Sequence, residues 1–269
     1  MSRCQSQRVF PARPCTNTSR SLALLCTVAL AGCAHAAQQA STAAPTTQPA
    51  TDPAQIKAQA QAIVDAFVAE TSRVRDAALG TAPVIAVGNT PQLIAYDFQT
   101  NVLTVPQWES QPAGLRQVFG TFAGGGDAEA EHLFRAFFNR FLVAHEAGHW
   151  FQYRTWKGAP PQLHALEQDA NLLAVAFWRT QPGGEDFLAE LERLANRATA
   201  ALPDPTPKGE DAASYFGAHY RELGSDPLEY GYYQFLFMAD ALRIRSQLDF
   251  ARMAGRDHSR NDAASADGH

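Results

Sequence analysis

A chain of 269 residues with 46% apolar content can bury one sizeable core and still have residues left over for export or tethering. Its formal net charge of −5 argues against a surface built for nucleic acid or for an anionic membrane. All four cysteines (Cys4, Cys15, Cys26, Cys33) lie in the first 33 positions, so the rest of the chain has neither a disulfide framework nor a Cys metal ligand, and a metal site there must use His, Asp or Glu.

Residues 1–51 contain no Asp or Glu, and Arg3, Arg8, Arg13 and Arg20 precede an apolar run over 22–31. That run is too short to span a bilayer as a mature helix, and it has the length of a signal-peptide core behind a basic segment. It ends Leu30-Ala31-Gly32-Cys33, which resembles the bacterial lipobox. The resemblance implies a signal peptide over 1–32, lipidation of Cys33, and a mature protein held to the membrane by that lipid. Residues 33–53 are, after Cys33, mostly Ala, Gln, Thr, Ser and Pro with almost no charge, and read as a flexible tether. Removing residues 1–32 would take away four Arg and no acid, leaving 18 basic against 27 acidic residues, a net of −9. No remaining apolar stretch has the length of a membrane span.

A folded domain is expected over 54–251, followed by a polar, disordered tail over 252–269. It begins near Asp52 with a helical pattern through Ile56, Ala60, Ile63, Phe67 and Val68 to about Ala78, with Gly80 as a stop signal. Residues 83–87 form a strand candidate, and 93–98 with 102–105 read as a hairpin around Gln99-Thr100-Asn101. Such an edge can hold an extended peptide through main-chain hydrogen bonds, or serve packing alone. After Gly124-Gly125-Gly126, Asp127 is a plausible helix N-cap, with Glu129 and Glu131 in the first turn, where they favour the helix dipole. The helix is expected to reach about Tyr153, with Phe134, Phe138, Phe141, His145 and His149 close to one stripe.

Inside that helix the chain reads His145-Glu146-Ala147-Gly148-His149, an H-E-x-x-H pattern. On a helix the two imidazoles lie one turn apart on one face, and Glu146 projects beside them. Two neutral imidazoles at this spacing can share one zinc ion, whose tetrahedral site needs a third protein ligand and keeps a place for water. Glu146 would take the proton from that water. From 141 to 151 Glu146 is the sole acid and no Lys or Arg occurs, so the segment is expected to be buried. Two His and one Glu in a buried helix are costly unless paired or metal-bound.

A break at 158–161 precedes a second helical pattern over 163–179. Within it Glu167 and Asn171 share a face at i, i+4, while His164 and Asp169 compete with Glu167 as the third ligand. H-E-x-x-H followed after a short connection by E-x-x-A-[DN] resembles the gluzincin zinc metallopeptidases, the thermolysin-like group and its compact relatives. The resemblance implies that Glu167 is the third zinc ligand, 18 positions after His149. It also implies that the residue at 171 orients a ligating imidazole, and that the hairpin sits on the substrate side. The family usually has Asp at that position. Asn171 can still accept the ring N–H, but it brings no charge to strengthen the ligand. Residues 150–155 lack the further Gly and His of a metzincin.

Residues 186–201 form an amphipathic helix with a solvated charged face, and 204–207 a Pro-rich loop. Farther on, His219, Tyr220, Tyr230 and Tyr233 are candidates to stabilise an oxyanion, with aromatic packing as the competing role for each. The expected fold is α+β and predominantly helical, with a zincin-like active-site helix packed against a small antiparallel sheet or hairpin. The expected function is zinc-dependent hydrolysis of an amide bond, with Glu146 as general base. The substrate would be an envelope protein, a peptide or a peptidoglycan stem, met in the bacterial cell envelope by a lipid-anchored enzyme facing the periplasm. The alternative is a catalytically silent envelope lipoprotein that keeps zinc for structure or binding.

Overall fold

Asp52 opens the fold: its side chain accepts the Gln55 N–H at 2.9 Å, Pro53 takes the first helical position, and α1 runs Pro53–Val74. In this computed structural model residues 52–75, 79–155 and 163–255 are described. The signal segment, Cys33, the tether up to residue 51, the expected end of the first helix near Ala78 and the break at 158–161 lie outside them. So does the tail beyond residue 255.

The apolar stripe of α1 (Ile56, Ala60, Ile63, Val64, Phe67) is buried, as its spacing predicts. Three short strands come next: β1 (Val84–Val87), β2 (Ala95–Asp97) and β3 (Val102–Val105). β2 and β3 form the expected antiparallel hairpin, while β1 adds to the other side of β3 in parallel, giving the order β1-β3-β2. Asn101 permits the hairpin turn: it holds φ 56°, a left-handed value that Asn tolerates. Its side chain also accepts the Tyr96 hydroxyl and donates to Ala82 O at 3.0 Å, tying the turn to the entrance of β1.

A 3₁₀ turn (Trp108–Ser110) leads to α2 (Ala113–Ala123) and α3 (Asp127–Ala136). The cap of α3 is Gly126 rather than Asp127; its N–H donates to the Glu129 carboxylate at 3.0 Å, so the acid expected to favour the dipole also closes the turn. α3 does not pass directly into the next α-helix. Residues Phe137–Phe141 make a π turn, and α4 (Leu142–Thr155) continues from it. The extra residue in that turn rotates α4 by about 100° relative to uninterrupted α spacing, so Phe134 and His145 do not share the single stripe that counting suggests.

α4 is the axis of the domain. It is buried on nearly every side, against α1, α5 and the β2–β3 hairpin, and Trp150 Nε1 donates to Thr81 O at 3.1 Å. α5 (Leu163–Thr180) packs along it, and α6 (Gly184–Ala201), α7 (Ala212–Leu223) and α8 (Pro227–Arg243) pack on α5, making a mostly helical α+β fold with one small sheet. Aromatic clusters fill the core, two of them beside α1, α4 and α5. One joins Trp108, Phe119, Phe134, Phe137, Phe138 and Phe235, and the other joins Phe67, Phe177 and Phe250. Phe250 belongs to α9 (Phe250–Gly255), whose Met253 and Ala254 are buried. Arg252 to Gly255 are thus part of the domain and not of a disordered tail. No helix among the described residues is long and apolar enough to cross a membrane.

Candidate metal centre

α4 and α5 cross closely where Gly148 meets Ala170: a Cβ added at Gly148 would lie 3.4 Å from the Ala170 Cα. This contact brings the polar first turns of α5 beside the His145–His149 face of α4. His145 Nε2 lies 3.4 Å from Glu167 Oε2, and His149 Nε2 lies 3.7 Å from Glu167 Oε1. One ligand atom from each of the three residues lies within 4.8 Å of the other two, the one such cluster among the described residues. Two donors each about 2.0–2.1 Å from a shared zinc ion at a tetrahedral angle are about 3.4 Å apart, so the spacing of these atoms suits one divalent cation.

The remaining ring nitrogens are held from outside the cluster. His145 Nδ1 lies 3.0 Å from Asn171 Oδ1, and His149 Nδ1 lies 2.8 Å from Gln152 Oε1. An acceptor at each Nδ1 favours a ring proton there, so that once Nε2 is deprotonated its lone pair faces the cluster, the tautomer a metal requires. His145, Glu167 and Asn171 are buried, whereas the His149 side chain is 23% exposed and meets solvent. Glu146, also buried, accepts the Tyr96 N–H from strand β2 at 2.8 Å.

The electrostatics arise from these contacts. Burial would push the His149 imidazole down, but the Glu167 carboxylate facing it favours its charged form, and Glu146 and Gln152 add to this, so its pKa rises to about 9. Burial likewise opposes ionisation of Glu167, and the two imidazoles outweigh it and hold the carboxyl below the usual range.

Asp169 and His164, the competing ligands, do not join the cluster. Asp169 accepts the Gln152 amide at 3.0 Å, and the His164 ring packs edge-on against Phe237 at 4.6 Å. Of the four oxyanion candidates, His219 stacks on Tyr215 and pairs with Glu222, and Tyr233 bonds Thr206 Oγ1 at 2.7 Å within an aromatic cluster. The Tyr220 and Tyr230 rings meet edge-on with centroids 6.1 Å apart, and burial first and the Glu167 and Glu146 charges next raise both phenols.

Three contributors to the site are not evident from the sequence. Gln152 carries a signal, an uncharged polar residue three positions after His149 in a buried helix. The Tyr96 N–H carries none, because a backbone donor reaches Glu146 only through the tertiary fold. Gln234 of α8 is a long contact, 3.5 Å from Glu167 Oε2. No family model, curated protein or solved structure matches the chain.

Proposed function

We propose that this protein is a zinc-dependent peptidase of gluzincin type, acting on a peptide or protein in the bacterial cell envelope from a lipid anchor on Cys33. The observation that carries the proposal is the convergence of His145, His149 and Glu167 with the carboxylate of Glu146 on the same turn of α4. His145, His149 and Glu167 would hold the ion, in a centre open to solvent at His149. When bound there, zinc lowers the pKa of water to about 7 and polarises a carbonyl.

The chain's own groups do the rest. Asn171 and Gln152 orient the two imidazoles. Glu146 takes a proton from the attacking water and returns it to the leaving amine, while the Tyr96 N–H keeps its carboxylate in place. Of the four oxyanion candidates, Tyr220 and Tyr230 are the two whose phenols feel the Glu167 and Glu146 charges, and they are the first to test as oxyanion donors. Of the two readings, the peptidase accounts for Glu146, since a purely structural zinc site needs no base and closes its fourth position.

The test combines metal analysis with cleavage of a peptide library. The expected result is one zinc per chain and peptide hydrolysis that falls by about 10²–10⁴-fold in Glu146→Gln while the zinc is retained. A wild type that holds zinc yet is as inert as Glu146→Gln would leave the silent zinc lipoprotein in its place.

A further inference from the structure

The amide of Gln152 is fully engaged. Its Nε2 donates to Leu166 O and to Asp169 Oδ2, each at 3.0 Å, and its Oε1 faces His149 Nδ1 at 2.8 Å. Gln152 itself is buried. A side-chain amide can in principle be turned over, exchanging oxygen and nitrogen. Here both acceptors lie on the nitrogen side, and turning it would set carbonyl oxygen against carbonyl and carboxylate oxygen in a buried place. The Gln152 oxygen is therefore held toward His149, which must present a ring N–H to it and its Nε2 to the cluster.

Asn171 is the contrast. Its Oδ1 faces His145, but its buried Nδ2 has no partner among the described residues, so only the imidazole itself orients that amide. The two ligating histidines are thus positioned to different degrees. Leu166 and Asp169 also flank Glu167 on the first turns of α5, so the same amide that orients His149 ties its helix to the turn carrying the third ligand.

We propose that Gln152 and Asp169 are positioning residues of the metal centre. Asp169 aims the Gln152 amide, the amide locks His149 in the ligating tautomer, and the bridge sets the distance from His149 to Glu167. The proposal rests on the metal-centre reading above, and it gives Asp169 a role beside the ligands.

The experiment uses the intact protein, with zinc affinity measured by chelator competition, cobalt(II) absorption in the ligand-field region, and thermal melting in chelator. Gln152→Leu is expected to bind zinc 10–100-fold more weakly, with an altered cobalt spectrum. Asp169→Ala, at a half-buried position, should show a smaller loss of about 3–10-fold, and Asp169→Asn, which keeps an acceptor oxygen, should restore most of it. A residue that only packed the helices together would lower the melting temperature and leave the spectrum unchanged. Wild-type affinity and spectrum in folded Gln152→Leu would overturn the proposal. Should that variant fail to fold, unchanged affinity in Asp169→Ala overturns it instead. A wild type that takes up neither zinc nor cobalt removes the metal-centre reading, and this proposal with it, whereas a metal-binding wild type with indifferent variants removes this proposal alone.

Discussion

Replacing Asn171 by Asp isolates how much a charged acceptor adds to this site. Asn171 is 1% exposed, its Oδ1 lies 3.0 Å from His145 Nδ1, and its Nδ2 is buried without a partner among the described residues. A neutral hydrogen bond contributes about 1 kcal/mol and one to a charged group about 1.5–3 kcal/mol, so the carboxylate should strengthen the hold on a metal-bound His145 by about 1 kcal/mol or somewhat more. That corresponds to zinc affinity about tenfold higher. At saturating zinc, tenfold tighter binding adds about 1.4 kcal/mol to the stability of the loaded protein. In a domain of this size the rise in melting temperature on adding zinc should then grow by about 3–6 °C. Chelator competition measures the affinity, and melting with zinc and with chelator measures the gain. An Asn171→Asp protein that binds zinc no more tightly, and whose melting gain matches wild type, would refute the reasoning that the 171 side chain acts on the metal through His145.

In the metal-free protein the His149–Glu167 pair sets a pH dependence. His149, raised from 6.5 to about 9, contributes stability that is whole below pH 6.5 and lost as pH rises through 9. Glu167, lowered from 4.5, contributes above pH 4.5 and loses its contribution as pH falls through its depressed value. Melting in chelator should therefore decline between pH 6.5 and 9, while zinc affinity climbs over the same interval because the metal displaces the His149 proton; a flat melting profile there would contradict the pairing. Gly184→Ala would set a Cβ 1.7 Å from the Trp178 carbonyl oxygen, a clash with backbone at the α5–α6 turn, and should cost about 2–4 kcal/mol in denaturant unfolding. Gly114→Ala, with nothing within 4 Å, should be neutral or stabilise by about 0.4–1 kcal/mol. Cys33→Ser should move the protein from the membrane to the soluble fraction, and continued attachment would rule out the lipid anchor.

The helical core was legible because its cause is local. The spacing of Ile56, Ala60, Ile63 and Phe67 is one face of α1, and the run around His145, with Glu146 as its sole acid and no Lys or Arg, reads as a buried helix. The π turn at Phe137–Phe141 was not legible, since every residue there is apolar or tolerated in either helix and only packing selects the wider turn. The parallel partner of β3 was hidden for a similar reason: β1 pairs with β3 although β2 lies between them in sequence, and no short-range pattern encodes that register.

At the site the division is the same. Spacing by itself determined that His145 and His149 share a face with Glu146 beside them, because an α-helix repeats every 3.6 residues whatever surrounds it. It could not decide among Glu167, Asp169 and His164, which occupy neighbouring positions of one helix. Only the crossing of α4 over α5 at Gly148 and Ala170 turned Glu167 toward the imidazoles, Asp169 toward Gln152 and His164 toward Phe237. Ligand type comes from residue chemistry, whereas ligand choice depends on the rotation of one helix about its axis, a quantity that tertiary packing sets.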